Sequence, residues 1–482
     1  MSYRIAARAS WARLSCLLAL SCLAAGCRPP RGPGGSAFSR VDSPHFSVFS
    51  DLPVADIELQ ARRLEQLLAA FLEHGWDAHG ELPLKVNVVM LSDRERLHEV
   101  TGEKIGGLMF SPLLFEPWIV VPTPDRKNDL QTLCHELTHS LAFQVMPYQP
   151  HWFSEGLASY FQTAVVEDGR FVLGKVPIPL LASVLHGQLL NHAQIFDDTA
   201  DHWNARFYGS AWLLVHYLMS EHADAFVKYQ VELARGQSHA QAWARAFPAH
   251  QGDRLDEQLR QYLRRAQFVN VSFPMGETSV LTRGKALHLA DEESMWAILW
   301  TGKSGPRSAQ AARHTELALR LDPDQVSALA LAALAERDPA TAQARVSRLT
   351  SSHPDSWLAW LTAALVHEKT APSAAEPPSA VDRALSLVPR QPFALMLKAY
   401  ELARQGDRVG ALATSRRALR QQPSNVDLLW HRASLLSGLS ECGPLMDVAR
   451  TIRQVGHTRL SAQQQAELER ILQRCFRQPP PN

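Results

Sequence analysis

The sequence predicts an α+β chain, with a mixed sheet and a helical half over residues 40–268 and an all-α stack of helix pairs over 283–475. Three observations carry this. Short apolar runs of strand type, bounded by Gly, Pro and Ser, recur between residues 45 and 121. From Pro177 to Phe268 the apolar spacing becomes helical. Beyond Phe273 the composition turns to Ala, Leu and Arg, and Pro323, Pro354, Pro389 and Pro423 follow at intervals of 31, 35 and 34. A regular period of this length is the mark of stacked helix pairs. At 482 residues the chain exceeds one ordinary core.

The opening 27 residues read as a targeting segment. Arg4, Arg8 and Arg13 precede an apolar run, Leu14 to Ala25, that is too short to span a bilayer. It ends Leu23-Ala24-Ala25-Gly26-Cys27, which resembles a bacterial lipobox. The resemblance implies cleavage before Cys27 and lipidation of its thiol; an ordinary secretory signal is the alternative. The mature chain is then anchored to a membrane by its lipid and does not span it. Arg28, where an aspartate could stand, favours the outer membrane by similarity to Gram-negative lipoproteins. With 49 basic and 48 acidic residues, nothing points to nucleic acid. In an oxidising compartment Cys442 and Cys475 are expected to pair across two C-terminal helices, and Cys134 to be a buried small hydrophobe.

Residues 28–39 open with an Arg-Pro-Pro-Arg-Gly-Pro-Gly-Gly-Ser tether. His45 to Phe49 alternates like a half-buried strand, and Asp56 to His74 carries Ile57, Leu59, Leu64, Leu67, Leu68 and Phe71 at helical spacing. Leu84 to Leu91 is a strand and Asp93 to Val100 a short helix. Gly106 to Phe110 and Trp118 to Pro122 read as two further strands. Thr123-Pro124 then opens a helix to about Val145, with Leu130, Leu133, Leu137 and Leu141 as its buried stripe. After a break at Met146 to Pro150, Ser154 is the expected N-cap of the next helix. In the repeats, small residues such as Ala399 and Ala411 fall where helices cross, and Glu376-Pro377-Pro378 is a loop insertion. The tail, 476–482, is expected to be disordered.

Chemistry concentrates in Cys134-His135-Glu136-Leu137-Thr138-His139. Two histidines four apart project from one face of a helix. Imidazoles so placed can bind one Zn²⁺, and the glutamate beside the first can act as general base. Glu155, sixteen residues past His139, offers a third ligand from a neighbouring helix and leaves a fourth position for water.

His135-Glu-Leu-Thr-His139 resembles the thermolysin helix, and Trp152-Phe-Ser-Glu-Gly-Leu-Ala-Ser-Tyr160 is similar to the W-L-N-E-G-F-A-x-Y stretch of the aminopeptidase N family. Together they resemble the gluzincins, closest to the bacterial peptidase-MA-like group. The resemblance implies a zincin-like domain, one zinc per chain held by His135, His139 and Glu155, Glu136 as general base, and a peptide or protein substrate. It implies an oxyanion-stabilising tyrosine or histidine beyond the glutamate helix, for which Tyr208 is the candidate; His202, His216 and Tyr217 are rivals of more structural character. Asp197, Asp198 and Asp201 are candidate partners for the ligand imidazoles. Ser159 stands where thermolysin-like enzymes carry an aspartate.

The substrate strand is expected at Gly106-Gly107-Leu108, with Trp118 to Val121 as the alternative. Clan aminopeptidases place an amine-binding glutamate in the matching G-x-M-E-N stretch. Here the text is Gly-Gly-Leu-Met-Phe, without an acid, which turns the expectation to an endopeptidase. The C-terminal period resembles tetratricopeptide repeats, for example Thr315 to Pro323 and Ser415 to Pro423, and implies recruitment of a substrate or protein partner. The alternative is a non-catalytic envelope scaffold acting through those repeats.

Overall fold

The computed structural model describes residues 36–75, 85–102, 106–110, 117–123, 130–145, 149–197, 204–235, 237–274, 282–305, 308–370, 380–421, 423, 425–456 and 462–477. The signal segment, Cys27, the tether to Gly35, Pro124, the Glu376 loop, Asp198, Asp201, His202 and the last five residues lie outside these. Among the described residues, no helix is long and apolar enough to cross a membrane.

The architecture is mixed α/β. Strands β1 (Ser39–Asp42), β2 (Phe46–Ser50), β3 (Val86–Leu91), β4 (Leu108–Phe110) and β5 (Trp118–Pro122) join β9 (Arg283–Ala286) in a six-stranded sheet of order β4-β5-β3-β2-β1-β9. The central neighbours β2, β3 and β5 run parallel, while β4, β1 and β9 pair antiparallel. Helix α1 (Val54–Gly75) joins β2 to β3, and α2 (Arg94–Thr101), N-capped by Asp93, follows β3. A small sheet of β6 (Val165–Glu167), β7 (Arg170–Leu173) and β8 (Val271–Pro274) lies further along.

The helical half comprises α3 (Leu130–Val145), α4 (His151–Phe161), α5 (Ile178–Gly187), α6 (His192–Ile195), α7 (Ala205–Glu221), α8 (Ala223–Ala234), α9 (His239–Ala246) and α10 (Asp253–Arg265). The array then runs α11 (Leu289–Ser304), α12 (Ala309–Leu321), α13 (Val326–Ala335), α14 (Pro339–Ser352), α15 (Trp357–Thr370), α16 (Ala380–Leu387), α17 (Pro392–Arg404), α18 (Arg408–Gln421), α19 (Val426–Gly438), α20 (Cys442–Gly456) and α21 (Ala462–Arg477). Successive helices pair antiparallel, and each odd-numbered helix also meets the next odd-numbered one. The residues five before each periodic proline (Ala318, Leu349, Ala384 and Ala418) are fully buried where these helices cross. Cys442 is disulfide-bonded, and the side chain of Cys475 lies outside the described residues.

Strand periodicity sorts the sheet's side chains between two cores. Val48, Val86, Val88, Met90, Ile119 and Val121 face α1, α3 and the helical half. Phe38, Phe49, Val89, Leu91, Trp118 and Val120 face α2 and the array, against Met295, Trp296 and Leu299 of α11. Every residue of β2 and β3 is therefore buried. This corrects the half-buried reading of residues 45–49: the array packs back over the face that solvent would have covered. It also moves a boundary. Residues 283–286, expected in the repeats, pair with β1 as the sixth strand, although all four are exposed. Their main chain joins the ladder while their side chains bury nothing, so no apolar alternation marks them.

A fragment ending at residue 287 uncovers the array-facing side of the sheet, including Trp118 and Phe49. It is expected to aggregate or bind a hydrophobic dye strongly, whereas the chain containing the array stays soluble; soluble yield and dye fluorescence of the two measure this.

Candidate metal centre

Helix α3 buries Leu133, Cys134, Leu137 and Leu141 against the sheet and turns His135 and His139 toward α4. Cys134 is a free thiol in full burial, which pushes its pKa up to about 12. It is packing, not a ligand. On α4, Trp152, Phe153, Leu157 and Phe161 fill the core, leaving Ser154 and Glu155 toward α3.

Three donor atoms converge between these helices. His135 Nε2 and His139 Nε2 lie 3.1 Å apart. Glu155 Oε2 stands 3.4 Å from the first and 3.7 Å from the second. Atoms bound tetrahedrally to one zinc at about 2.0–2.1 Å are about 3.3–3.4 Å apart, so the triangle has the size the donor set needs. Another His–carboxylate group, His192, Asp253 and Asp256, is close enough to hold an ion, but Asp256 already spends both oxygens on His192, on its backbone N–H at 2.6 Å and its Nδ1 at 3.0 Å.

The helix bearing Glu155 begins at His151 with Pro150 as its cap, not at Ser154. Proline's fixed φ, −55° here, starts the helix without a side-chain cap. Ser154 thus sits inside the first turn, and its Oγ lies 3.1 Å from His139 Nδ1. A tautomer that donates its Nδ1 proton to Ser154 would leave the Nε2 lone pair for a metal in the shared site. The expected N-cap is a support for a ligand, a role that only the true helix start reveals.

The two carboxylates are driven in opposite directions. Burial alone would raise Glu155, but the charges of His139 and His135 and their hydrogen bonds hold it well below the usual carboxylate range. Burial raises Glu136, opposed by His139 and His135, reinforced by Glu155, and opposed again by a hydrogen bond from the backbone N–H of Met109 on β4. Gly107 makes room for this residue: a Cβ there would lie 2.7 Å from Thr132 Cγ2 and 3.0 Å from Glu136 Cγ. Gly106 and the partly exposed Leu108 flank it at the free edge of the sheet.

Tyr208 lies in the first turn of α7, which Asn204 caps. Its hydroxyl pKa is pushed up, first by burial and then by the negative charges of Glu155 and Glu136. Gly156 sets this relation, because a Cβ there would fall 2.5 Å from the carbonyl oxygen of Ala211. The rivals have other duties. His216 bonds Tyr262 through Nδ1 at 2.7 Å and the Gly174 carbonyl through Nε2 at 3.0 Å, and Tyr217 bonds His222. Ser159 is buried within α4.

Among known proteins, a family model described as a protein of unknown function (DUF1570) matches residues 129–240. The match runs from α3 into α9 and includes all three donors, Glu136 and Tyr208, leaving the six-stranded sheet and the array outside it. No curated protein matches the chain.

Ser154→Ala is expected to leave the fold intact and weaken zinc affinity by about 10- to 100-fold, read by competition with a chelating dye. Gly156→Ala forces α4 off α7; overpacking of this kind costs about 1–3 kcal/mol, and denaturant unfolding should show that loss together with lowered zinc retention.

Proposed function

We propose that the protein is a zinc metallopeptidase of the gluzincin type. In this reading a zincin-like domain carries the reaction, a tetratricopeptide-like solenoid recruits substrate or partner, and a lipid on Cys27 holds the chain at the bacterial envelope. The convergence of His135 Nε2, His139 Nε2 and Glu155 Oε2 carries the proposal, with Glu136 beside the first ligand. Zinc bound there supplies a Lewis acid that brings the pKa of a water toward neutrality and polarises a carbonyl.

The chain's own residues supply the rest. Glu136, whose proton affinity burial increases, takes a proton from the attacking water and passes it to the leaving amine. Tyr208 stays protonated because burial and two carboxylates oppose its ionisation, so its O–H can donate to the oxyanion formed on the former carbonyl oxygen. Among the described residues no strand pairs with the outer edge of β4, and an extended peptide can add to it as another strand. No acidic residue in Gly106 to Phe110 receives a free amine, which favours cleavage within a chain over removal of its first residue.

Metal analysis of residues 28–482 is expected to give about one zinc per chain, with a large loss in Glu155→Ala. Glu136→Gln should keep the metal and abolish hydrolysis of an unfolded casein substrate. Tyr208→Phe should keep the metal and lower kcat by about 10²- to 10³-fold. A parent that holds no zinc and takes none up on titration would sink the peptidase reading and leave the array as the functional part.

A further inference from the structure

The first helix of the array reaches Glu136 through the shortest strand of the main sheet. Among the described residues strand β4 pairs on one side only, with Leu108, Met109 and Phe110 opposite Val120, Ile119 and Trp118. Alternation sends Met109 to the core shared with α3 and Phe110 to the core shared with the array. The Met109 N–H donates to the Glu136 carboxylate. One residue on, the Phe110 ring lies on α11 at Gly302. A Cβ at 302 would stand 3.0 Å from Phe110 Cζ and nearer still to Cδ2 and Cε2, closer than carbon atoms approach. The bare backbone of Gly302 is thus a notch that receives the ring.

The notch is on a fixed support. Trp296, two turns earlier on α11, packs edge-on against Phe38 with centroids 6.1 Å apart, and the Arg96 guanidinium of α2 lies 4.6 Å from its ring centroid. Lys303, beside the notch, donates to the backbone carbonyl of Glu99 at the other side of the same contact. By comparison β4 is lightly held: it is three residues long, and none of them is fully buried. The array also touches α3 directly, through α18.

We propose that Gly302 is a positioning residue for the candidate active site: by seating Phe110 it holds β4 at the height where Met109 bonds Glu136 and where a substrate strand would lie. The inference rests on the assignment of Glu136 as general base, but the mechanical link from α11 to Met109 stands apart from it. The array is then a fixed wall of the catalytic centre as well as a recruiting surface. A residue more than 160 positions from Glu136 in sequence sets the geometry of its hydrogen bond.

The test is Gly302→Ala in the chain comprising residues 28–482, followed by backbone hydrogen exchange of the 106–110 segment, zinc content and casein hydrolysis. Glu136→Ala, which removes the acceptor, calibrates the exchange expected when Met109 is released. Gly302→Ala is expected to raise exchange of 106–110 toward that level, keep about one zinc, and lower kcat about tenfold or more. Adding Phe110→Leu, which shortens the side chain in the notch, is expected to restore both exchange and kcat; a general loss of stability would not be repaired by a smaller core residue. If Gly302→Ala does not fold, Phe110→Ala empties the notch without adding an atom and should raise the same exchange. Unchanged exchange at 106–110 in whichever variant folds overturns the proposal. A parent without zinc or hydrolysis defeats the peptidase reading alone, and the exchange comparison still decides the link.

Discussion

Helices α4 and α7 touch backbone to backbone at Gly156 and Ala211, and the candidate site depends on that contact. Glu155 is the residue before the glycine. Tyr208 is one helical turn before Ala211, on the same side of its helix. One crossing therefore fixes a carboxylate and a hydroxyl that come from helices some fifty residues apart. Any side chain at 156 would separate the axes, and the two groups would part together. The glycine in the Trp152–Tyr160 stretch thus has a steric reason distinct from the chemistry of its neighbour.

Around that contact, two buried carboxylates have been given different characters by their surroundings. Glu155 meets two imidazoles and is held ionised. Glu136 is drawn toward its neutral form chiefly by burial, with the Glu155 charge adding to it, against the charges of the same two imidazoles and the Met109 N–H. Ionised ligand and proton acceptor are the two parts a metal-assisted hydrolysis requires. In the proposed reading they arise from which hydrogen bonds each glutamate accepts, since the two residues are chemically identical.

Much of this was legible in the sequence because it depends on local spacing. Histidines four apart share a helix face in any context, and the helical spacing between Pro177 and Phe268 anticipates the helices found over 205–221, 223–234, 239–246 and 253–265, though not their ends. Three features were not legible, each for a tertiary reason. Strand β9 joins the sheet through its main chain only, so Arg283 to Ala286 shows no alternation. Ser154 has the chemistry of an N-cap, but Pro150 starts the helix earlier and leaves the hydroxyl to His139. The burial of both faces of β2 depends on α11 folding back from more than 230 residues away, which no window of sequence contains.

That shared sheet also bears on how such a chain can change over generations. The array's first helices are walled in, with α11 seated on the sheet and α11, α13, α15 and α17 in one continuous core with it. The far end is different: α19, α20 and α21 hold a separate core of Leu429, Leu436, Leu445, Ile452 and Leu472. Duplication or loss of a helix pair near α11 would tear the sheet's covering, whereas the same event beyond α18 would meet only helices of its own kind. Changes in helix number are therefore tolerated best toward the C-terminal end of the array, away from the sheet and the candidate metal centre.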